Sequence, residues 1–412
     1  MRNTHSKNTV RYYLVIVFVL LFLFFSNDFG LIDVHKTALV MAVGIDREDD
    51  TFIITSQIAV PQSSKDGKAT ESVQLVSRGK TVGEALDEIN AKTGWYPKLV
   101  FCNLIILGEK TTQENVFDAL DYFLRDEYLS DACLVATCEG LAKELLDTTA
   151  LVEHASSTAM QKVLSSHAKQ VGTVLPMTLR EFAIGYFSES QSGFLPILKK
   201  EPQQEHIEGE KQKSPSSGPS NSSEGQNASS DNPQSKNDNQ SEDKPVFSAR
   251  QTALFVGGKQ VETLTSEETF AVGAVLNKLR LASYTVEREG KTCSLTIKHN
   301  ASDIKLQTSK SDYFTLDIRI TMSAGALDIS KAQDIEDLGS VGNVPKEFFT
   351  VAEKKLISEI QRVYEKCRAC GCDIFGVRER LVKYGKRSFQ HLEAVAFSNT
   401  RANISVHFRN IR

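Results

Sequence analysis

The sequence predicts an α+β fold: a single apolar N-terminal membrane anchor, then two mixed α/β modules of sheets with packed helices, separated by a disordered linker. Three observations predict it. Residues 12–25 form one uninterrupted apolar run, and residues 200–245 are almost devoid of apolar side chains. On both sides of that polar tract, β-branched runs alternate with segments of helical period.

Bulk composition narrows the possibilities. With 412 residues the chain has room for two or three domains. A formal net charge of −4, from 48 basic and 52 acidic residues, offers no basic excess for nucleic acid. Seven cysteines are too sparse in a chain of this length for the disulfide framework of a small secreted domain, so the fold must rest on its core.

In the N-terminal run, the twelve Leu, Val, Ile and Phe residues at 14–25 favour a bilayer by roughly 4 to 7 kcal/mol. At about 1.5 Å per residue, residues 12–25 cover only ~21 Å of a ~30 Å hydrocarbon core, a length shared by spanning helices and signal-peptide cores. Both readings stand. The exit after Phe25 has no A-x-A-like pattern, which favours an uncleaved anchor, and no cysteine there could carry a lipid. Arg2, Lys7 and Arg11 precede the run while Asp28 and Asp33 follow it. The positive-inside bias therefore keeps residues 1–11 in the cytoplasm and places the bulk of the chain outside.

In the first module, residues 35–199, two β-branched runs around the charged turn at 47–50 predict a hairpin over 38–60. Gly44-Ile45-Asp46 marks the point where the first strand leaves the sheet, with Asp46 as a turn residue rather than a ligand. A strand follows at 73–77. Thr81 and Glu84 stand at capping-box spacing, and Val82, Ala85, Leu86 and Ile89 share one helical face. Gly79-Lys80-Thr81 is no phosphate loop, because Gln74 occupies the place of the required first glycine. Residues 99–107 predict a buried strand closed by Gly108, and Thr111 with Glu114 caps a helix carrying Val116, Phe117, Leu120, Phe123 and Leu124. A strand at 133–137, helices over 140–146, 156–169 and 177–186, and a short extended exit at 194–198 complete the module. His154 and His167 lack carboxylates at ligand spacing and are not read as a metal pair.

The linker at 200–245 is a random coil on the order of 35 to 40 Å end to end. It either separates independently folding parts or is an inserted loop whose ends are pinned by one sheet. Beyond it, residues 246–412 begin with a strand, a Gly-Gly turn and a second strand over 252–264. Thr265 and Glu268 then cap a helix bearing Phe270, Val272, Ala274, Val275 and Leu279. Runs at 283–286, 293–298, 304–308, 314–322 and 327–329 predict an antiparallel sheet. Pro345 opens the longest soluble helix, 346–367, with Phe349, Leu356, Ile360, Val363 and Tyr364 facing inward. A helical stretch at 373–384 and a terminal strand at 402–409 follow.

No G-x-S-x-G, H-E-x-x-H or G-x-G-x-x-G pattern occurs, so no catalytic residue is assigned, no cofactor is implied and no small-molecule site is identifiable. Cys367, Cys370 and Cys372 include a C-x-x-C pair, the spacing of metal and redox sites. No second ligand cluster accompanies it, and the nearest histidine is His391, so these cysteines are read as a helix terminus.

Several stretches in fixed order resemble the Ger(x)C family, the C subunits of nutrient germinant receptors in endospore-forming bacteria. They are residues 38–57 with the Gly44-Ile45-Asp46 step, residues 77–81 leading to Ala85-Leu86, and residues 118–125 (DALDYFLR). In the second half they are residues 251–255, 264–268, and 372–376 with the terminal strand. The resemblance implies a non-enzymatic subunit on the outer face of the spore inner membrane, beside multi-pass membrane subunits of a germinant receptor. Two departures stand out. Family members typically carry a lipidated cysteine after the signal, absent here over residues 26–34, and a late tryptophan, whereas Trp95 is this chain's only one. The alternative is a membrane-tethered binding or scaffold protein of the cell envelope unrelated to germination.

Overall fold

The computed structural model describes residues 3–26, 37–60, 71–148, 153, 155–165, 172–201, 246–308, 314–329, 343–384 and 396–411. The two β-branched runs form the expected hairpin of β1 (Thr37–Glu48) and β2 (Thr51–Val60), with Asp49 in the turn at φ 50°. β3 (Glu71–Gly79) pairs antiparallel with β2. β4 (Tyr96–Lys98) lies parallel to the start of β1, and β5 (Leu104–Leu107) pairs parallel with its later half. β6 (Leu134–Cys138) and β7 (Ser192–Glu201) continue in parallel, then β8 (Val246–Val256) and β9 (Lys259–Leu264) return antiparallel. The strand order is β3-β2-β1-β5-β6-β7-β8-β9.

The polar tract interrupts a sheet. Residues 202–245 lie outside the described residues, but their flanks are paired neighbours, Glu201 with Val246 and Lys200 with Phe247. Of the two arrangements the composition allowed, the chain adopts the inserted loop pinned by one sheet. The run at 194–198, read as an exit, is instead part of β7, between β6 and β8.

Helices cover both faces of this sheet, which is why its middle strands are continuously apolar. Along β5, Ile105 and Leu107 point into the larger core, and Leu104 and Ile106 into a smaller one on the opposite face. The larger core is closed by α2 (Val82–Thr93), α4 (Phe117–Arg125) and α7 (Leu179–Tyr186). The smaller is closed by α5 (Ala142–Leu146) and α6 (Ser156–Leu164). α2 forms as its pattern predicts, with Thr81 accepting the Glu84 amide, Gly94 ending the helix at φ 71°, and Val82, Ala85, Leu86 and Ile89 buried.

Three local expectations fail because long-range contacts override local signals. Within 99–107, Leu99–Phe101 is a 3₁₀ turn that leaves Val100 and Phe101 exposed, and only Leu104–Leu107 is strand. Thr111 caps nothing: it lies inside the short helix α3 (Glu109–Thr112), and its hydroxyl donates to the Ile45 carbonyl at 3.0 Å. Glu114 pairs with Arg47 at 2.9 Å, and the Phe117 amide at the start of α4 donates to Asn115 Oδ1 at 3.1 Å. Lastly, β1 does not leave the sheet at Gly44. Gly44 pairs with Thr55 and Asp46 with Ile53. The glycine is required because α5 lies against it: a Cβ there would stand 2.9 Å from Leu146 Cδ1 and 3.1 Å from Ala142 Cβ.

Beyond β9, the Thr265 and Glu268 capping box opens α8 (Ser266–Val275) as predicted, but the helix ends at Val275, so Leu279, expected on it, lies beyond its end. The second sheet has the order β10-β11-β12-β13. The runs at 293–298 and 304–308 are one strand, β11 (Lys291–Thr308), bent by irregularities between Ser294 and Leu295 and between Ile297 and His299. It pairs antiparallel with β10 (Ala282–Arg288) and with β12 (Phe314–Ile329), which merges 314–322 with 327–329. The sheet is not wholly antiparallel, because β13 (Thr400–Asn410) runs parallel to β12. A parallel neighbour needs a long crossover. Here α9 (Lys346–Cys370) and α10 (Val377–Tyr384) lie within it, α9 burying Leu356, Ile360, Val363 and Tyr364.

One core joins the two sheets, reaching from Val43 in β1 to Phe408 in β13. α1 (Asn3–Ser26) carries the N-terminal apolar run, with the side chains of Tyr12 and Phe22 exposed. Among the described residues no helix is long and apolar enough to cross a membrane. Substituting Gly44→Val should lower stability by about 1 to 3 kcal/mol through overpacking against α5, read as a lower urea midpoint at unchanged slope; an unchanged midpoint would contradict the contact.

Candidate functional site

The three late cysteines sit where the second half of the chain meets the first sheet. α9 ends at Gly371, whose φ of 75° reverses the backbone so that the Cys372 amide donates to the Cys367 carbonyl at 2.9 Å. That turn carries Cys372 into the first sheet, where its thiol donates to the Phe255 carbonyl of β8 at 3.4 Å. The Asp373 amide donates to Ser192 Oγ of β7 at 3.0 Å, and the Ser190 amide donates to Glu379 Oε1 at 3.1 Å. Residues 371–379 are therefore bonded to β7 and β8 at successive points.

Asp373 lies four residues before α10, so the helical stretch expected over 373–384 begins only at Val377, and the two Asp373 carboxylate oxygens accept the Val377 and Arg378 amides at 3.0 and 2.8 Å. Burial pushes its pKa up to about 6, against the lowering effect of those amide bonds. The folded chain thus holds this proton more tightly than the unfolded one. The associated stabilisation is complete below the ordinary value of 3.8 and is lost as pH rises through about 6. For Glu379 burial also acts upward, but hydrogen bonds from Ser190 and Ser188 outweigh it and leave the carboxyl below its usual range.

The cysteines divide by burial. Cys367 is buried, and desolvation holds its thiol well above the ordinary value. In Cys372, the hydrogen bond to Cys370 raises the pKa first and burial second. Half-buried Cys370 gains from the same bond, which pulls it down to about 7 against the opposing effect of burial. Cys370 is therefore the least buried of the three thiols and the one shifted toward the thiolate. Among the described residues no group of three or more His, Cys, Asp and Glu side chains is placed to hold an ion. Both Asp373 oxygens are already engaged by α10 amides. His391, with His154 and His167, lies outside the described residues.

One cavity adjoins this junction, and a second shares Glu181 with it. The first, of about 310 Å³, lies beside β7 and α7 and is lined by Ser188, Ser190, Ser192, Gly193, Asp373 and Glu379. Its hydroxyls are spent inside the chain, Ser188 Oγ on the Gly185 carbonyl at 2.7 Å and Ser192 Oγ on the Ser190 carbonyl at 2.8 Å. The other, about 410 Å³, opens at the seam between Thr178 and Glu181 on one side and Asn277, Lys278 and Arg280 on the other. Lys278 Nζ stands 3.8 Å from Glu181 there. None of these lining residues was singled out in the sequence as part of a cavity. Asp373 carried a usable signal, an acidic residue just before a helical stretch; the Lys278–Glu181 pairing carried none.

Asp46 proves structural, though not as a turn residue. Its buried carboxylate accepts the Ala142 and Lys143 amides at 2.8 and 3.0 Å, holding the start of α5 from 96 and 97 positions away. Burial raises its pKa against those bonds. Gly108 makes room for it, since a Cβ there would fall 2.0 Å from Asp46 Oδ1.

These features define a two-sheet α+β protein in which the second half is bonded to the first sheet through the turn after its longest helix. A family model described as the spore germination protein N-terminal domain matches residues 32–200, and one described as spore germination B3/GerAC like, C-terminal, matches residues 250–412. The chain belongs to the Ger(x)C family of spore germination proteins. Spore germination protein B3 of Bacillus subtilis (strain 168) is 30% identical over 120 residues, which span 27% of this chain and 31% of that protein. The crystal structure of the GerBC protein shares the fold, with a TM-score of 0.50 at 16% identity, over 90% of this chain and 97% of that one.

Brief alkylation of the native chain should modify Cys370 before the six other cysteines, with a rate half-maximal near pH 7 as its thiolate forms. Peptide mass spectrometry checks this, and preferential labelling of Cys367 or Cys372 would contradict the burial described above.

Proposed function

We propose that this chain is a non-enzymatic accessory subunit of a germinant receptor complex on the outer face of the spore inner membrane, needed for nutrient-triggered germination. The observation that carries the proposal is the match of both halves, in order, to spore germination models. The fold likeness to GerBC supports it over nearly the whole chain. Its partners in this reading are the multi-pass membrane subunits of the receptor. Disrupting the gene in a spore-forming host and restoring it in trans checks the role: nutrient-triggered germination should fall and recover, and an unchanged response with no redundant homologue would sink the idea. Co-purification from spore membranes should bring multi-pass partners; wall material instead would favour an envelope scaffold.

In this reading α1 is an uncleaved anchor with its N-terminus in the cytoplasm. Its 24 residues extend about 36 Å, but its apolar residues 12–25 cover only ~21 Å of a ~30 Å hydrocarbon core, in keeping with the absence of a full-length apolar span among the described residues. The apolar part is shorter, and Arg11, Tyr12 and Tyr13 supply the snorkelling and interfacial side chains that accommodate such a mismatch. N-terminal sequencing of the mature membrane-bound protein should find residues 1–25 intact; a start within residues 27–31 would show a cleaved signal.

A further inference from the structure

The N-terminal ends of the parallel strands carry an apolar ledge. Tyr96 in β4 is paired with Thr37, the first described residue after α1, and the 3₁₀ turn Leu99–Phe101 follows directly. Trp95, Tyr96, Val100 and Phe101 are 37%, 44%, 48% and 53% exposed, unlike the fully buried Leu104 and Ile105 just beyond them. Lys98 lies among them, its ammonium 4.8 Å from the ring centre of Tyr128, itself exposed. Beside the ledge is a cavity of about 240 Å³ whose walls include Leu39, Met41, Ala59, Phe101 and Leu104. Tryptophan, tyrosine and lysine around aliphatic and phenylalanine side chains is the composition of a membrane-water interface rather than of a solvated loop.

Chain length decides what can cover this ledge. α1 ends at Ser26 and β1 begins at Thr37. Even fully extended, the intervening chain reaches at most about 40 Å. Thr37, with Tyr96 paired beside it, is thus tethered within that distance of the end of α1.

We propose that Trp95, Tyr96, Val100 and Phe101 rest in the headgroup region of the bilayer that α1 enters, so that the body stands on the membrane with the starts of its parallel strands toward lipid. This rests on the membrane anchoring proposed above. It assigns an orientation to the body, with β4 and the 3₁₀ turn Leu99–Phe101 facing lipid.

Trp95 is the only tryptophan in the chain, so the intrinsic indole emission of the full-length protein reports on the ledge alone. The full chain is reconstituted into phosphatidylglycerol–phosphatidylethanolamine vesicles, with and without brominated phosphatidylcholine, and vesicle flotation is measured in parallel. Bromolipid should quench Trp95 by at least about twofold, as for an indole at the lipid interface, while aqueous acrylamide quenches it weakly. A Val100→Asp, Phe101→Asp variant should still float but lose the bromolipid quenching. Flotation with Trp95 open to acrylamide and untouched by bromolipid overturns the ledge while leaving the anchor intact. Shielding from both quenchers also overturns it, pointing to a second copy of the chain on this surface. Failure to float removes the anchor and the ledge together.

Discussion

The pairing of β7 with β8 is the constraint on which the rest of the structure depends. It closes the first sheet across residues 202–245 and gives β8 and β9 a place beside strands laid down much earlier in the chain. The second half is then fastened to what that pairing creates. Cys372 bonds to β8, Asp373 and Glu379 bond to the start of β7, and Lys366 of α9 donates to the Thr263 carbonyl at 2.7 Å and to Glu268 at 3.2 Å, where β9 passes into α8. Glu268 simultaneously accepts the Thr265 amide in the capping box. Each of these bonds needs the β7–β8 register as its floor.

How much of this was legible in the sequence followed the range of the interaction. α2, α8 and the hairpins at 38–60 and 252–264 are specified by neighbours within a few positions, by caps, helical period or turn glycines, and they form as predicted. Thr111 with Glu114 had the same local spacing and misled, because Ile45 and Arg47 in β1 claim both side chains. The direction of β13 was illegible, since strand patterning is identical for parallel and antiparallel neighbours and the crossover through α9 decides. At the junction, the cysteine turn was visible as spacing. Its partners Ser192 and Phe255 were not, because they lie well over 100 residues away.

The family assignment and the geometry illuminate one another. The two matched regions, 32–200 and 250–412, divide the chain close to the polar tract, yet the core does not divide there. Residues from both regions fill one apolar cluster, and β8 and β9 belong in space to the first sheet. The division visible in sequence thus falls between β7 and β8, which are neighbours in one sheet.

The insertion itself has an entropic consequence. For any flexible chain whose ends are held together, as β7 and β8 hold Glu201 beside Val246, the cost of closure grows only with the logarithm of the number of residues. Doubling the tract would cost about 0.6 kcal/mol, less than a single well-made hydrogen bond contributes.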